Sequence, residues 1–569
     1  MNKILQRIGL LFLTVSCFNT SVIFAQENTS KLLPPSWLND AVFYQIYPQS
    51  YYDTDNDGIG DIKGIIQKLD YIKSLGVNAL WINPLFDSPF NDAGYDIRNY
   101  YLVAPRYGNN EDLIKLFKEA HKRGIRVCLD LVPGHTSLDC KWFEQSAKKE
   151  RNEYTDRYIW TPADSIKPNN KFVSNNYERP GCYMRNFFPS QPALNYGFGK
   201  PDPNHPWEQP TSAEGPARNR QELFNIIDFW MSRGADGFRV DMASSLVKND
   251  PGYIETDKLW NGIRYKLQKK YPNGILISEW GKPNLSIKAG FTMDFMLPTR
   301  STGFNQMFFN FEGDKIIDNC YFDLRGNGDP TIYTDKLIQY LKDIDKKGYL
   351  CTPTGTHDRQ RMHVGPRDTY EQLKLPFVFL FTLPTVPLIY YGDEIGMQYI
   401  WGLPVVEGSQ TKINRAGSRT PMQWNNSKNA GFSTADASKL YLPIDRESCI
   451  PTVASEEKDP SSLLSFVKQI INLKKTHPAL KPNAKIRFLL SKKKVYPLVY
   501  ERYSNDERII VILNPSATSQ TVHIPYSENF RSIIPLIGGI KSKLEKEGDT
   551  LKVTAPPVSY GIYQLKANK

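Results

Sequence analysis

Three acidic residues stand at or near the ends of three short apolar runs, and acids so placed can move protons together if the fold brings them to one place. In GADGFRVDMASSL (Gly234 to Leu246), Arg239 and Asp241 lie two residues apart. Residues at i and i+2 of an extended strand share a face, so this guanidinium and carboxylate point the same way, while Phe238, Val240 and Met242 line the other side. One Arg-x-Asp of this kind is usually a structural ion pair. Glu279 in GILISEWG and Asp358 in TPTGTHDRQR repeat the placement, and three acids ending three strand-like segments ask for an architecture that converges strand ends.

Eight apolar runs read as strands: Ala41 to Ile46, Ala79 to Ile82, Val127 to Leu131, Gly237 to Asp241, Ile275 to Ser278, Thr292 to Phe295, Tyr349 to Thr352 and Pro387 to Tyr391. Helical patterns intervene, clearest in Ile62 to Gly76 and Glu111 to Gly124, where apolar residues recur every three or four positions and a glycine closes the helix. Strands alternating with helices predict an α/β fold, a (β/α)₈ TIM barrel, whose strands open at their C-terminal ends onto one mouth. Asp241, Glu279 and Asp358 would meet there. About 100 residues separate the third strand from the fourth, far more than a βα loop needs, which predicts an inserted subdomain. After the helical stretch Ser461 to Leu480 the chain turns to short alternating runs such as YPLVYERY and RIIVILN, the pattern of an antiparallel β domain. The expected organisation is barrel 37–131 and 219–480, insertion 132–218, and a C-terminal β-sandwich 481–569.

With 569 residues, 40% of them hydrophobic, the chain can bury a large core in two or three structural units. Its net charge of +11 is spread over helical surfaces and not collected in one basic block, so no nucleic-acid partner is expected. The start, MNKILQRIGLLFLTVSCFNTSVIFA, places Lys3 and Arg7 before an apolar stretch and ends in Ala25, which reads as a secretory signal, residues 1–25. The protein is therefore expected to be exported, periplasmic or secreted, with lipid attachment through Cys17 as the lesser alternative. No other segment has the 18 or so apolar residues of a membrane helix, so no span is expected in the mature chain. Six further cysteines show no C-x-x-C spacing, which argues against zinc and leaves any disulfide pairing open.

In DTDNDGIGDIKG (Asp53 to Gly64), Asp53, Asp55 and Asp57 alternate ahead of Gly58, presenting oxygen to a hard cation, although Gly64 stands where an EF-hand needs glutamate.

The stretches DLVPGH (Asp130 to His135), GFRVD (Gly237 to Asp241), ISEW (Ile277 to Trp280) and THD (Thr356 to Asp358), with QPALN, YYGDEIG and SRTPMQW, occur in an order that resembles the α-amylase family of glycoside hydrolases, nearest its oligo-1,6-glucosidase, α-glucosidase and trehalose synthase branch. The resemblance runs from Trp37 to the C-terminus. It implies Asp241 as nucleophile, Glu279 as general acid/base and Asp358 as the acid that fixes sugar hydroxyls. In a retaining mechanism the first two carboxyl groups stand roughly 5 to 5.5 Å apart. Arg239 would hold Asp241 ionised, and burial beside Trp280 would raise Glu279. His135 and His357 would donate hydrogen bonds to the sugar, Tyr95 would stack on it, and Asp96 with Arg419 would pair across a closed pocket at the non-reducing end. The resemblance also implies a structural calcium ion held by Asp53, Asp55, Asp57, the Ile59 carbonyl and Asp61, with no organic cofactor.

Some positions depart from the family: Gly134 and Thr356 each replace an asparagine, Ala193 an aspartate, and Met242 beside the nucleophile leaves linkage preference open. The function this implies is a retaining α-glucosidase acting on malto- or isomalto-oligosaccharides. Alternatives are a transglycosylase or isomerase of the trehalose-synthase type, an endo-acting α-amylase, and a non-catalytic relative of amino-acid transporter heavy chains.

Overall fold

Strands that are apolar on both faces need cover on both sides, and here they obtain it by closing on themselves and burying their outer face under helices. The computed structural model describes residues 33–566 apart from 163–166, 175–176, 298–300, 309–310, 313–314, 317–319, 410, 412–413, 446–449 and 539–540. The expected signal 1–25 and Cys17 lie outside the described residues.

The barrel strands are β1 (Phe43–Ile46), β2 (Ala79–Ile82), β3 (Arg126–Leu131), β4 (Gly237–Val240), β5 (Ile275–Ser278), β6 (Met293–Phe295), β7 (Tyr349–Pro353) and β8 (Val386–Tyr390). Each pairs in parallel with its sequence neighbours, and β8 returns to β1 to close the barrel. Alternation then sorts the side chains. Phe43, Ala79, Trp81, Cys128, Ile275 and Ile277 meet inside the barrel, while Tyr44, Leu80, Val127, Phe238, Leu276 and Ile389 face out into the main core. The expected helix Ile62 to Gly76 is two helices, Ile62–Gln67 and Leu69–Ser74, broken at Lys68. The second expected helix runs Asn110–Lys122 and starts in a capping box between Asn109 and Asp112.

Between β3 and β4 the chain makes a short helix, Lys141–Ser146, and a two-stranded sheet, Phe172–Ser174 with Cys182–Met184, before the helix Glu214–Met231 leads back to the barrel. At the C-terminus, β9 (Lys485–Lys492), β10 (Val495–Tyr503), β11 (Arg508–Asn514), β12 (Gln520–Pro525), β13 (Ser532–Pro535), β14 (Lys543–Glu547), β15 (Thr550–Ala555) and β16 (Ser559–Lys566) form two antiparallel sheets, ordered β9-β10-β11-β16-β13 and β12-β15-β14. Val499, Ile510, Ile512, Leu551 and Val553 belong to the core they share. The Cys128, Cys140, Cys320 and Cys351 thiols are free, and among the described residues no helix is long and apolar enough to cross a membrane.

Candidate active site

Towards the C-terminal ends of the strands the barrel interior changes from apolar to charged. The register of β3 and β4 sets Asp130 opposite Arg239, and that of β4 and β5 sets Val240 opposite Ser278, so Asp241 and Glu279 leave neighbouring strand ends side by side. Arg239, 2% exposed, serves three carboxylates. Its Nη1 donates to Asp130 Oδ1 at 2.8 Å and to Asp241 Oδ1 at 2.9 Å, and its Nη2 lies 3.0 Å from Glu279 Oε2. The Met242 backbone N–H donates to the same Glu279 oxygen at 2.9 Å. To do so Met242 adopts a left-handed backbone, φ 43°, a strained conformation for a side chain of its size.

Asp358 enters from the loop after β7. Arg415 Nη1 donates to its Oδ1 at 2.6 Å and Arg419 Nη2 at 3.2 Å. Desolvation alone would raise Asp358, but the two guanidinium groups hold it well below the usual carboxylate range. Asp241 behaves otherwise. Arg239 was expected to keep it ionised, yet burial outweighs the guanidinium, which Asp241 shares with Asp130 and Glu279, and pushes Asp241 up to about 7. Burial raises Glu279 to about 7 as well, against the pull of Arg239 and with Asp241 adding to the rise. The site thus holds one firmly ionised carboxylate and two that compete for a proton near neutrality.

The expected pairing of Asp96 with Arg419 is not made. Asp96 is fully buried and holds its own turn together, accepting from Ser88 Oγ at 3.0 Å and from the N–H groups of Asn91 and Asp92 at 2.8 and 3.1 Å. Arg419 turns instead to Asp358 and to the His357 carbonyl, at 2.8 Å. The acid that meets an arginine here is Asp92, four residues earlier: its Oδ1 lies 3.4 Å from Arg415 Nη2, and Gln191 donates to its Oδ2 at 2.8 Å. One guanidinium, Arg415, therefore spans Asp92 and Asp358.

The remaining expected residues form one buried network. Tyr95 stacks on the His357 ring, centroids 5.4 Å apart and 7° from parallel. Its hydroxyl donates to Asp130 Oδ2 at 2.8 Å and meets His357 Nε2 at 2.9 Å. Gln45 Nε2 faces His357 Nδ1 at 3.0 Å. Burial lowers the pKa of both histidines, His135 to about 4, so both rings are neutral. His135 Nε2 points at the Tyr95 carbonyl, 3.0 Å away, and its Nδ1 receives Asn186 Nδ2 at 3.1 Å. Protein groups therefore occupy all four ring nitrogens, which orients the rings and fixes their tautomers.

Residues 45–483 match the family described as Alpha amylase, catalytic domain. The chain belongs to the α-amylase family. The oligo-1,6-glucosidase of Parageobacillus thermoglucosidasius is 31% identical over 552 residues, 86% of this chain and 92% of the relative. The trehalose synthase/amylase TreS of Mycolicibacterium smegmatis is 30% identical over 490 residues, 78% and 77% of the two chains. Among solved structures, the trehalulose synthase MutB of Pseudomonas mesoacidophila superposes with a TM-score of 0.76 at 25% identity, over 94% of this chain and 100% of that one. The protein is thus an α-amylase-family glycoside hydrolase of α-glucosidase type.

This family member fills one departure from within. A Cβ at Gly134 would lie 2.6 Å from Asn186 Nδ2, so the missing side chain leaves room for an amide from the segment between β3 and β4. Lys248 Nζ donates to Asn186 Oδ1 at 2.8 Å and to the Ser245 carbonyl at 2.5 Å. Asp130, Asp92, Arg415 and Asn186 are site residues that the sequence reading did not select. Of these only Asp130 carried a signal, as an acid inside the expected strand Val127 to Leu131, one residue before its end.

Of the expected metal ligands, Asp53, Asp55 and Asp61 bring carboxylate oxygens within 4.8 Å of one another, a donor set that fits a hard cation. Asp57 does not join them; its Oδ1 accepts the Ile59 N–H at 2.7 Å.

Burial raises other carboxyl groups too: Asp294 and Glu394 are each pushed to about 7. With Asp241 and Glu279 they bind protons in the folded chain between about pH 4 and pH 7, where the unfolded chain has released them. The stability they lend is whole below pH 4 and is lost as the pH rises through 7. The melting temperature is therefore expected to rise as buffer pH goes from 8 to 5, which scanning calorimetry measures; a fall over that range would contradict the protonation of these groups.

Proposed function

We propose that the enzyme is an exported, retaining α-glucosidase that removes glucose from the non-reducing end of short α-glucans. The observation that carries this reading is Arg415 spanning Asp358 and Asp92, a charged wall that would close the pocket behind one sugar. In the productive form the shared proton sits on Glu279. Its Oε2 is taken by Met242 and Arg239, so Oε1 is left to carry the proton to the leaving oxygen. Arg239 holds Oδ1 of Asp241, which leaves Oδ2 to attack the anomeric carbon. A covalent glucosyl ester forms, Glu279 then takes a proton from water, and hydrolysis frees the sugar with its configuration retained. Asp358, kept ionised by Arg415 and Arg419, accepts bonds from sugar hydroxyls and its charge favours the positive transition state.

Incubation with maltose, isomaltose, maltotriose, trehalose, sucrose and starch tests this. Glucose is expected from the non-reducing end of the short chains, with starch a poor substrate; maltose and longer products appearing from starch before glucose would refute it. Similarity to proteins named trehalose synthase and trehalulose synthase favours a second reading, glucosyl transfer within the closed site. An isomeric disaccharide accumulating from maltose or sucrose would select that one.

Arg415→Ala removes the wall's cation and leaves Asp92 and Asp358 without it beside the sugar. Truncating one partner of a buried hydrogen-bonded charge pair costs about 2 to 5 kcal/mol, so kcat/KM for disaccharides is expected to fall accordingly, and that for long glucans by less. Equal losses on both substrates would contradict a wall.

Calcium is the cation we assign to Asp53, Asp55 and Asp61, with the Ile59 carbonyl, in a structural role. A chelator is expected to lower the melting temperature while the initial rate of folded enzyme stays nearly constant, because a cation bound only by the folded state stabilises it by mass action. Loss of rate without loss of stability would place the ion in catalysis.

A further inference from the structure

Behind the Asp92–Arg415 pair lies a second loop. Residues 403–409, LPVVEGS, follow β8 and carry two successive left-handed residues, Glu407 at φ 36° and Gly408 at φ 67°. Such a turn is strained at glutamate and persists only where neighbours hold it. Gly408 is pressed against the pocket: its carbonyl accepts from Arg415 Nη2 at 2.5 Å, and a Cβ there would lie 2.6 Å from Asp92 Oδ1 and 3.0 Å from the Asn91 carbonyl. Only a glycine lets the backbone approach so closely. Glu407 is held from the other side. Its Oε1 accepts from Arg106 Nη1 at 2.8 Å, and the two side chains are only 18% and 22% exposed, so water and salt screen the pair weakly. The Arg106 guanidinium also lies 3.5 Å from the centre of the Phe90 ring, and Phe90, at φ 62°, begins the turn that presents Asp92. The Arg106–Glu407 pair therefore ties residues 403–409 to the segment between β2 and β3, on the far side of the turn that carries Asp92, beside the Arg415–Asp92 pair. The outer side of the loop faces solvent, with Val405 59% exposed.

We infer that Arg106 and Glu407 are specificity-determining residues: their ion pair latches residues 403–409 behind Asp92 and ends the pocket, so that a glucan continuing past the first sugar is excluded. The inference rests on the exo-acting pocket proposed above. Neither residue touches the reacting carboxylates; both act through the position of Gly408 and Asp92.

The test uses an aryl oligoglucoside of the linkage the enzyme cleaves, and the same compound with the 4- and 6-hydroxyls of its non-reducing unit tied in a ketal. The parent enzyme is expected to cleave only the free compound. Glu407→Gln and Arg106→Met are each expected to raise kcat/KM for the blocked compound, relative to the free one, by about tenfold or more. The double variant should add little to either single change, as expected of residues acting as one pair, and Arg106→Lys, which keeps the charge, should retain most of the exclusion. Glu407→Gln is isosteric and keeps the test open should Arg106→Met fold poorly. Variants that hydrolyse the free compound and exclude the blocked one as strongly as the parent would overturn the latch. Cleavage of the blocked compound by the parent enzyme would instead overturn the exo-acting pocket itself.

Discussion

Asp241→Asn is expected to lower kcat by about 10⁴-fold or more, the scale of removing a nucleophile from a catalytic group that works as a unit. The amide has the size of the carboxyl group and can still accept from Arg239 Nη1, now 2.9 Å from Asp241 Oδ1. It cannot attack the anomeric carbon, so no glucosyl ester forms. Folding should survive the change, because burial already pushes this carboxyl towards its neutral form and a neutral amide removes that cost. Melting temperature and kcat measured on one preparation check both halves of the expectation. More than a few per cent of parental activity, not explained by deamidation, would contradict the assignment.

Arg239→Met should be the most destabilising single change in the site. The methionine fills most of the same space, but Asp130, Asp241 and Glu279 lose the guanidinium they share, each now within 3.0 Å of it. Breaking a buried pair by removing one partner costs about 3 to 5 kcal/mol. The cost falls on the ionised carboxylates, so it should be largest at pH 8 and smaller at pH 5, where all three accept protons more readily. Urea denaturation at the two pH values measures the difference. Equal losses at both would mean that Arg239 acts by packing and not by charge.

Asp241 and Glu279, the proposed nucleophile and acid/base, were legible in the sequence because each directly follows a barrel strand. A strand buried on both faces has no polar interruption, so the apolar runs Ala79–Ile82 and Ile275–Ser278 coincide with β2 and β5, and an acid that ends such a run must emerge at the mouth. The pocket wall was not legible. Asp92 and Asp96 sit four residues apart in FNDAGYD, and which of them meets Arg415 is decided by a turn in which Phe90 and Ala93 take φ 62° and 51°, a choice no periodicity records. Arg415 and Arg419 flank a single turn of 3₁₀ helix, Arg415–Ser418, which brings both guanidinium groups to Asp358, while Arg415 alone also reaches Asp92. Asn186 lies 51 residues from His135, in the long segment between β3 and β4. Its role follows from the space left at Gly134, which exists only in three dimensions. The balance of charge was also hidden: Arg-x-Asp suggested an ionised nucleophile, whereas the fold divides one arginine among three acids, Asp130 and Asp241 buried and Glu279 partly so.

In the proposed mechanism Asp241 forms a covalent bond to the sugar while Glu279 handles the proton. The most direct measurement is to react the enzyme with a 5-fluoro-α-glucosyl fluoride, whose fluorine slows hydrolysis of the ester more than its formation, and to locate the adduct by peptide mass spectrometry. The expected result is one fluoroglucosyl group on the peptide carrying Asp241, absent from Asp241→Asn. An adduct on Glu279 or Asp358, or turnover of the reagent by Asp241→Asn at the parental rate, would contradict the account.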